Sequence, residues 1–325
     1  MTFTKRKVLA TLAALMTTTA LPAAAQDWPD GPVTMIVPWG AGGGTDATAR
    51  MIGSLLERKL GVPVPVENRT GGSGVIGHTA IADAAPDGQT IGVATLEIGT
   101  MHNLGLTEID YTAYTPLGLY NSDPAAIFVN TSSDYEDIGA LLSALEEMPD
   151  GEFKGSGSAQ GGVNHLALAG MLMAAGMPAD RVAWVPSEGA APGLQDLAAG
   201  GVEVATASLP EGAALMEAGL IRPLAVFATS RMDAAPDVPT FNEATDFEFA
   251  LGSWRGLVAP KGLSPEVAEK LTAVLGEVVQ DEEYVKFMND RGYAMQWTTG
   301  AEFESFMKSS DDALGGTLKA VGLSK

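Results

Sequence analysis

The residues best suited to chemistry in this sequence form a glycine-rich turn between an apolar segment and an amphipathic one. Val33–Val37 is typical of a buried strand, Gly40–Gly44 of a tight turn, and Thr45 and Asp46 of a helix start. Glycine lets a ligand approach the backbone because it has no Cβ. The first N–H groups of a helix lack partners and carry the positive end of its dipole. The turn is therefore predicted to bind an anion through backbone amides, without a basic side chain.

Two further loops of small residues also lead into predicted helices. One is Gly155–Gly162, ahead of a helix over about Asn164–Ala175. The other is Ser187–Gly193, which opens a helix that continues through Leu197. The sequence thus predicts three loop-to-helix anion sites, one in the first half of the chain and two in the second.

Strand-like and helix-like segments alternate on both sides of these loops. Predicted strands are Val33–Val37, Val62–Glu67, Ile91–Ala94, Ala126–Val129, Val182–Val185, Val202–Thr206 and Arg222–Phe227, and the clearest predicted helices are Asp46–Leu60 and Ile138–Glu147. The pattern breaks around Asn121–Pro124 and then restarts. This rhythm indicates a parallel α/β sheet with ligands at the carboxyl ends of its strands. We expect two lobes with a hinged cleft between them.

The N-terminus has the features of a secretory signal peptide. Three basic residues, Lys5–Lys7, precede an apolar run from Val8 to Leu21, and Ala23–Ala25 supplies small residues ahead of a predicted cleavage after Ala25. A membrane-spanning helix needs about 20 apolar residues, so an uncleaved anchor is the less favoured alternative. We expect a soluble periplasmic protein.

The amino-acid composition excludes several classes of binding partner and of chemistry. The chain has 325 residues, no cysteine and a formal net charge of −21. The predicted signal peptide carries three positive charges, so the mature chain is more negative than the full sequence. A mature chain of about 300 residues is long enough for two domains. So acidic a protein is not expected to bind nucleic acid or anionic lipid. Without cysteine, disulfides and thiolate chemistry are excluded.

Several runs of the sequence carry a specific pattern in a fixed order. They are VPWGAGGGTDATARMIGSLLERKLGVPVPVENRTGGSGVIGHTAIADAAPDGQTI, GSGSAQGGVNHLALAGM, VPSEGAAPGLQDLAAGGVEV, RPLAVFATSRMDAAPDVPTFNE and SWRGLVAPKGLSPEV. In these runs the chain resembles the substrate-binding proteins of tripartite tricarboxylate transporters over nearly all of its mature length. The resemblance implies an organic carboxylate in a cleft, delivery to a membrane permease, no catalysis and no cofactor. We expect a monomer.

The same resemblance implies the type II periplasmic binding protein fold. With it we expect a signal peptide at 1–25, a discontinuous first lobe at 26–124 plus 250–325, and a second lobe at 125–249. The implied ligand-binding residues are Trp39, Gly40, Ala41, Gly42, Gly43, Thr45, Asp46, Ser158, Gln160, Gly161, Gly162, His165, Ser187, Glu188, Gly189 and Ala190. Thr45 and Ser158 match the hydroxyl positions of the family.

Four of these residues, Trp39, Asp46, His165 and Glu188, allow more than one role. Asp46 stands at a helix start and is favoured as a cap or loop brace over a ligand contact. His165 either bonds its own loop or touches the ligand. Trp39 replaces the usual phenylalanine, and it either forms an apolar wall or stacking surface of the cleft or has a plain packing role. Ser187 and Glu188 replace a common tyrosine-lysine pair. If Glu188 points inward, it disfavours a second carboxylate and favours an uncharged, hydroxylated or amino-bearing distal group; if it points outward, it selects nothing.

Other function classes fit the sequence less well. A dinucleotide-dependent oxidoreductase would use Gly40, Gly42 and Gly44, with Glu67 ending the next strand, but Thr45 stands where the fingerprint needs a third glycine. No Gly-Lys-Ser/Thr of a P-loop and no G-x-S-x-G nucleophile elbow follows a strand. The three histidines lack paired metal-ligand spacing. A ligand-loaded adaptor for a membrane sensor would use the same cleft and stays an alternative.

Overall fold

The computed structural model describes residues 28–149 and 151–324. The predicted signal peptide lies outside the described residues. The strands are β1 (Thr34–Val37), β2 (Val66–Asn68), β3 (Thr90–Thr95), β4 (Tyr114–Asn130), β5 (Lys154–Ser156), β6 (Ala183–Trp184), β7 (Val204–Ser208), β8 (Ile221–Val226), β9 (Gly252–Pro260) and β10 (Met295–Thr298). The α-helices are α1 (Gly44–Leu60), α2 (Val75–Ala82), α3 (Ile138–Glu147), α4 (Val163–Ala174), α5 (Ala190–Ala198), α6 (Ala213–Glu217), α7 (Phe241–Ala244), α8 (Pro265–Val279), α9 (Glu282–Arg291) and α10 (Gly300–Ala320).

The predicted first helix shows how the sequence pattern produces the packing. Ala49, Ile52, Leu55 and Leu56 were expected on one face, and all four side chains of α1 are at most 1% exposed. Full burial of each large aliphatic side chain contributes about 1.5–3 kcal/mol. The helix ends at Gly61, whose φ of 72° places it in the left-handed region and whose N–H donates to a carbonyl of the last turn.

The strands form one curled sheet with the order β2-β1-β3-β9-β4-β7-β5-β6, to which β8 and β10 add through β4. β1 pairs in parallel with β2 and β3, and β5 pairs in parallel with β6 and β7. β9 runs antiparallel to both β3 and β4. The α/β class is confirmed, but the predicted parallel sheet is in fact mixed, because the two longest strands, β4 and β9, run antiparallel to their neighbours.

The strand β4 connects the two halves of the sheet. Its first part, to Pro124, pairs with β9, and its second part, from Ala125, pairs with β7 and β8. The predicted break at Asn121–Pro124 is therefore wrong: the strand continues through it. Proline lacks a backbone donor, and it is tolerated here because the ladder changes partner at this point. Gly252 of β9 lies so close that a Cβ there would stand 2.3 Å from the carbonyl oxygen of Asp123.

All three predicted loop-to-helix junctions are present. The helices begin at Gly44, Val163 and Ala190, each at the end of a small-residue loop. Within the described residues, no helix is both long and apolar enough to cross a membrane.

Candidate functional site

A cavity lies where the first turns of α1, α4 and α5 meet. The carboxyl ends of β1 and β3 form one set of parallel strand ends and those of β5, β6 and β7 form another, and the loops that follow all five strands reach the cavity. The lining residues are Trp39, Gly40, Gly43, Gly44, Thr45, Thr95, Glu97, Ser158, Val163, Asn164, Gly189, Ala190, Ala191, Pro192, Glu211, Ser253, Trp254 and Arg255.

Asp46 braces the first loop from below. Its Oδ2 accepts the N–H of Gly42 at 3.0 Å and the Nε–H of Arg50 at 3.1 Å, and its Oδ1 accepts Nδ2–H of Asn68 at 2.8 Å. Burial opposes ionisation of this carboxyl, but the bonds from Arg50, Gly42 and Asn68 together lower its pKa. Asp46 does not line the cavity, so its contacts are those of a loop brace.

Two backbone N–H groups of the first glycine-rich loop already donate hydrogen bonds to other groups of the protein. The N–H of Gly40 donates to the carbonyl of Glu188 at 3.0 Å, and the N–H of Gly44 donates to Glu211 Oε1 at 2.9 Å. Among the described residues, the N–H groups of Gly43 and Thr45 have no acceptor.

Glu211 reaches the first turn of α1 from the loop after β7. Its Oε2 accepts both the N–H and the hydroxyl of Ser208, at 3.0 and 2.8 Å, in a capping box that fixes the side chain. Its Oε1 is thereby held against Gly44 and 3.2 Å from Nη2 of Arg255. The carboxylate therefore stands where an anionic ligand of α1 would stand.

Glu97 accepts a hydrogen bond from the N-terminus of α4, as Glu211 does from that of α1. Its Oε1 accepts the N–H of Val163, the first residue of that helix, at 3.0 Å. Its Oε2 accepts the hydroxyl of Thr95 at 2.5 Å. Glu97 is 3% exposed. Two of the three helix N-termini at the cavity are thus capped by protein carboxylates.

Arg255 is the basic side chain of the site, and the sequence argument did not include it. Its Nε donates to Thr45 Oγ1 at 3.1 Å, its Nη1 to Asp123 at 2.8 Å and to Asn121, and its Nη2 to Glu211. Burial opposes the charge of the guanidinium, but the carboxylates of Glu211 and Asp123 raise its pKa above the ordinary value. Burial likewise raises the pKa of Asp123, against the pull of Arg255. The site was expected to have no basic side chain; Arg255 does line the cavity, but its Nε, Nη1 and Nη2 all donate to groups of the protein.

The third loop leaves its helix N-terminus open. The N–H of Ser187 donates to the carbonyl of Ser158 at 3.1 Å, and the hydroxyl of Ser187 donates to the carbonyl of Gly189 at 2.8 Å. The N–H groups of Gly189, Ala190 and Ala191 find no acceptor in the described part of the chain. The side chain of Glu188 is exposed and does not line the cavity, whereas the next residue, Gly189, does.

His165 supports the second loop rather than the cavity wall. Its Nδ1 accepts the N–H of Gly161 at 2.9 Å, and its ring stacks on Trp184 with centroids 4.8 Å apart. Nε1–H of Trp184 donates to the carbonyl of Ser158 at 3.2 Å. Burial lowers the pKa of His165 to about 4, so the ring is neutral at physiological pH.

Trp39 forms one wall of the cavity and is also bonded beneath it. Its Nε1–H donates to Thr95 Oγ1 at 3.2 Å, and the ring meets His78 edge-on with centroids 6.5 Å apart. Burial lowers the pKa of His78 to about 4. On the opposite wall, the hydroxyl of Ser158 has a single acceptor, the carbonyl of Ala159, at 3.3 Å.

The structure divides the predicted site residues into two groups. Those that line the cavity are Trp39, Gly40, Gly43, Thr45, Ser158, Gly189 and Ala190. Those that lie behind or beside it are Ala41, Gly42, Asp46, Gln160, Gly161, Gly162, His165, Ser187 and Glu188.

The polar lining residues that sequence reasoning missed are Thr95, Glu97, Asn164, Glu211, Ser253 and Arg255. Two of them carried a signal: Glu97 follows the third predicted strand, and Glu211 completes a Ser-x-x-Glu pattern with Ser208. Within 28–149 and 151–324, no group of three or more His, Asp or Glu side chains is arranged to hold a metal ion.

Comparison with known proteins gives consistent matches. The family described as tripartite tricarboxylate transporter family receptor matches residues 48–323. A UPF0065 protein from the tcbD-tcbE intergenic region of Pseudomonas sp. (strain P51) is 32% identical over 293 residues, which cover 89% of this chain and 86% of that protein.

Two solved structures show the same fold. The periplasmic binding protein BugD is 27% identical, with a TM-score of 0.84 over 92% of this chain and 100% of its own. The R. palustris protein Rpa4515, solved with adipate, is 28% identical, with a TM-score of 0.85 over 92% of this chain and 99% of its own.

Proposed function

The chain belongs to the family of tripartite tricarboxylate transporter receptors, and on that premise we propose that it captures a small organic carboxylate in the cavity between its loops and delivers it, in the periplasm, to a membrane permease. The observation that carries the proposal is the convergence of three helix N-termini, those of α1, α4 and α5, on one cavity. An R. palustris protein of the same fold holds adipate, which supports a carboxylate as the ligand.

The carboxylate is held mainly by backbone amides. Those of Gly189, Ala190 and Ala191 at α5 are open, as are those of Gly43 and Thr45 at α1. Each charge-assisted hydrogen bond contributes about 1.5–3 kcal/mol. Micromolar affinity corresponds to about −8 kcal/mol. Four or five such bonds, less the cost of ordering the ligand, are sufficient for that affinity.

The cavity opens and closes by movement of two lobes. One lobe comprises residues up to 124 together with 250 onward, and the other comprises 125–249. The change of partner along β4 between Pro124 and Ala125 supports this boundary. Four contacts cross it at the cavity: Gly40 with Glu188, Gly44 with Glu211, Arg255 with Glu211, and Glu97 with Val163. Closure excludes water and strengthens the bonds to the ligand.

A thermal-shift screen of the purified protein tests this function. The compounds are mono-, di- and tricarboxylates, aromatic acids and amino acids, with NAD and inorganic phosphate as controls. A ligand that binds only the folded state raises the unfolding midpoint with its concentration relative to Kd. We expect a shift with at least one class of carboxylate and none with NAD. A shift with NAD alone, or none with any carboxylate, contradicts the proposal.

A further inference from the structure

We infer that the ligand of this cavity carries a cationic nitrogen in addition to its carboxylate, and that Glu97 selects for it. The inference rests on the proposed function, since it assumes that the cavity binds a carboxylate. It concerns the other end of the ligand, which backbone amides do not recognise.

The first step is that only one helix N-terminus at the cavity is fully open. Glu211 caps α1 through the N–H of Gly44, and Glu97 caps α4 through the N–H of Val163. At α5 no carboxylate of the described chain is bound. A ligand carboxylate is therefore placed at Gly189–Ala191, and the rest of the ligand extends toward the two glutamates that line the same cavity.

The second step concerns the hydrogen bonds that the carboxyl group of Glu97 accepts. The Nε1–H of Trp39 donates to Thr95 Oγ1, and the hydroxyl of Thr95 donates to Glu97 Oε2 at 2.5 Å, a shorter contact than the 3.4 Å that separates it from His78 Nε2. The other oxygen of Glu97 accepts the N–H of Val163. Both oxygens of Glu97 thus act as acceptors within the protein.

The third step is that Glu97 lacks a cationic partner. No Lys, Arg or His of the described residues forms an ion pair with it, although the residue is only 3% exposed. The dipole of α4 supplies roughly half of an opposite charge. Glu211, in contrast, shares Arg255 with Asp123. The three charged side chains that line the cavity, Glu97, Glu211 and Arg255, leave a net negative charge there.

These charges favour an ammonium group over a second carboxylate at the end of the ligand that lies near Glu97. A second carboxylate would stand near Glu97 in a closed, water-poor space and be repelled, whereas an ammonium group would supply the missing counter-charge. The hydroxyl of Ser253 lines the same cavity and has no hydrogen-bond partner, so it is available to a polar group of the ligand. The net charge of −21 also favours the approach of a zwitterion or cation over that of a dianion.

Matched pairs of ligands test the inference by calorimetric titration of the purified protein. Each pair contains a dicarboxylate and the ω-amino acid in which nitrogen replaces one carboxylate carbon: β-alanine with succinate, 4-aminobutyrate with glutarate, and 5-aminopentanoate with adipate. The α-amino acids are titrated alongside. We expect the tightest ligand to be an amino acid, with a Kd at least tenfold below that of the dicarboxylate of equal length.

The variant Glu97→Gln isolates the selecting group because it keeps the size and the acceptor for Val163. We expect the ratio of the two Kd values to fall by tenfold or more toward the dicarboxylate. Glu304→Gln on the exposed face of α10 is the matched control and should leave the ratio unchanged. Circular dichroism and the unfolding midpoint establish that each variant is folded.

Three outcomes would overturn the inference. If dicarboxylates bind the wild type as tightly as the amino acids or more tightly, the inference is wrong and the carboxylate-binding function stands; this comparison needs no variant. If a folded Glu97→Gln protein keeps the wild-type ratio, the dipole of α4 alone balances Glu97, and Glu97 does not select. If no carboxylate of any kind binds, the proposed function fails as well.

Discussion

The carboxylate of Glu211 accepts the N–H of Gly44 across 167 residues of sequence, at 2.9 Å. Since Glu211 follows β7 and Gly44 begins α1, the contact connects the two sides of the cavity. The same oxygen pairs with Arg255, which in turn holds Asp123 on the strand that crosses between them. A single buried cluster of charges therefore fixes how the loops around the cavity meet.

We expect Glu211→Ala to destabilise the protein by about 3–5 kcal/mol, because it leaves the guanidinium of Arg255 buried with a single counter-charge. The side chain of Glu211 is 8% exposed. Denaturant unfolding measures the change in free energy. Glu217→Ala, on the exposed face of α6, is the control and should change the stability by less than about 0.5 kcal/mol. Equal small effects of both substitutions would show that the charge cluster does not stabilise the fold.

The close approach of β9 to β4 at Gly252 predicts that one added methyl group destabilises the protein. Gly252→Ala would place a Cβ 2.3 Å from the carbonyl oxygen of Asp123, which is backbone and can move only with its strand. We expect a loss of about 1–3 kcal/mol in the free energy of unfolding. Gly316→Ala in α10, where nothing lies within 4 Å, should instead stabilise by up to about 1 kcal/mol. A Gly252→Ala protein as stable as the wild type would mean that the strands do not approach this closely.

The buried histidines make the stability fall as the pH falls. Burial lowers the pKa of His165 from 6.5 to about 4. Between these two values the unfolded chain binds a proton that the folded chain does not, so stability is lost as the pH drops through that range. The contribution of one such group is at most about 3 kcal/mol.

The variant His165→Asn tests this pH dependence, because the amide oxygen can accept the N–H of Gly161 in place of Nδ1 and does not titrate. Unfolding midpoints from pH 7.5 to 4.5 should fall less steeply in the variant than in the wild type. His78, whose pKa is also lowered to about 4, keeps part of the slope in both. Identical slopes would contradict a neutral, buried His165.

The local parts of the fold were predictable from sequence. The apolar spacing in α1 and the small-residue loops before α1, α4 and α5 depend on neighbouring residues alone, and the observed helices begin within three residues of the predictions. The course of β4 was not predictable in this way. Asn121–Pro124 has the composition of a turn, but pairing with β9, more than 125 residues later in the sequence, keeps it extended.

The charged residues that line the cavity could not be predicted from the sequence for a related reason. Glu97 caps a helix 66 residues away and Glu211 one that lies 167 residues away, and a lone carboxylate after a strand does not indicate such a partner. Arg255 lies in an apolar strand and meets Asp123 and Glu211 only through the topology of the sheet. The loops at the cavity were thus recognisable from the sequence, while the charges that line it depend on tertiary structure.

The proposal that the first turn of α5 binds a carboxylate is tested most directly by removing one backbone N–H group. Ala190→Pro deletes the N–H of the first residue of α5, a position where proline suits the helix. Glu282→Pro makes the same change at the exposed first residue of α9 and serves as the control. The measurement is calorimetric titration of the tightest carboxylate found in the screen.

We predict that Ala190→Pro weakens binding by about 10- to 100-fold, in line with the loss of one charge-assisted hydrogen bond of about 1.5–3 kcal/mol. Its unfolding midpoint should stay close to that of the wild type, and Glu282→Pro should bind as the wild type does. Unchanged affinity in a folded Ala190→Pro protein would contradict the account, because the carboxylate would then not be bound at this helix.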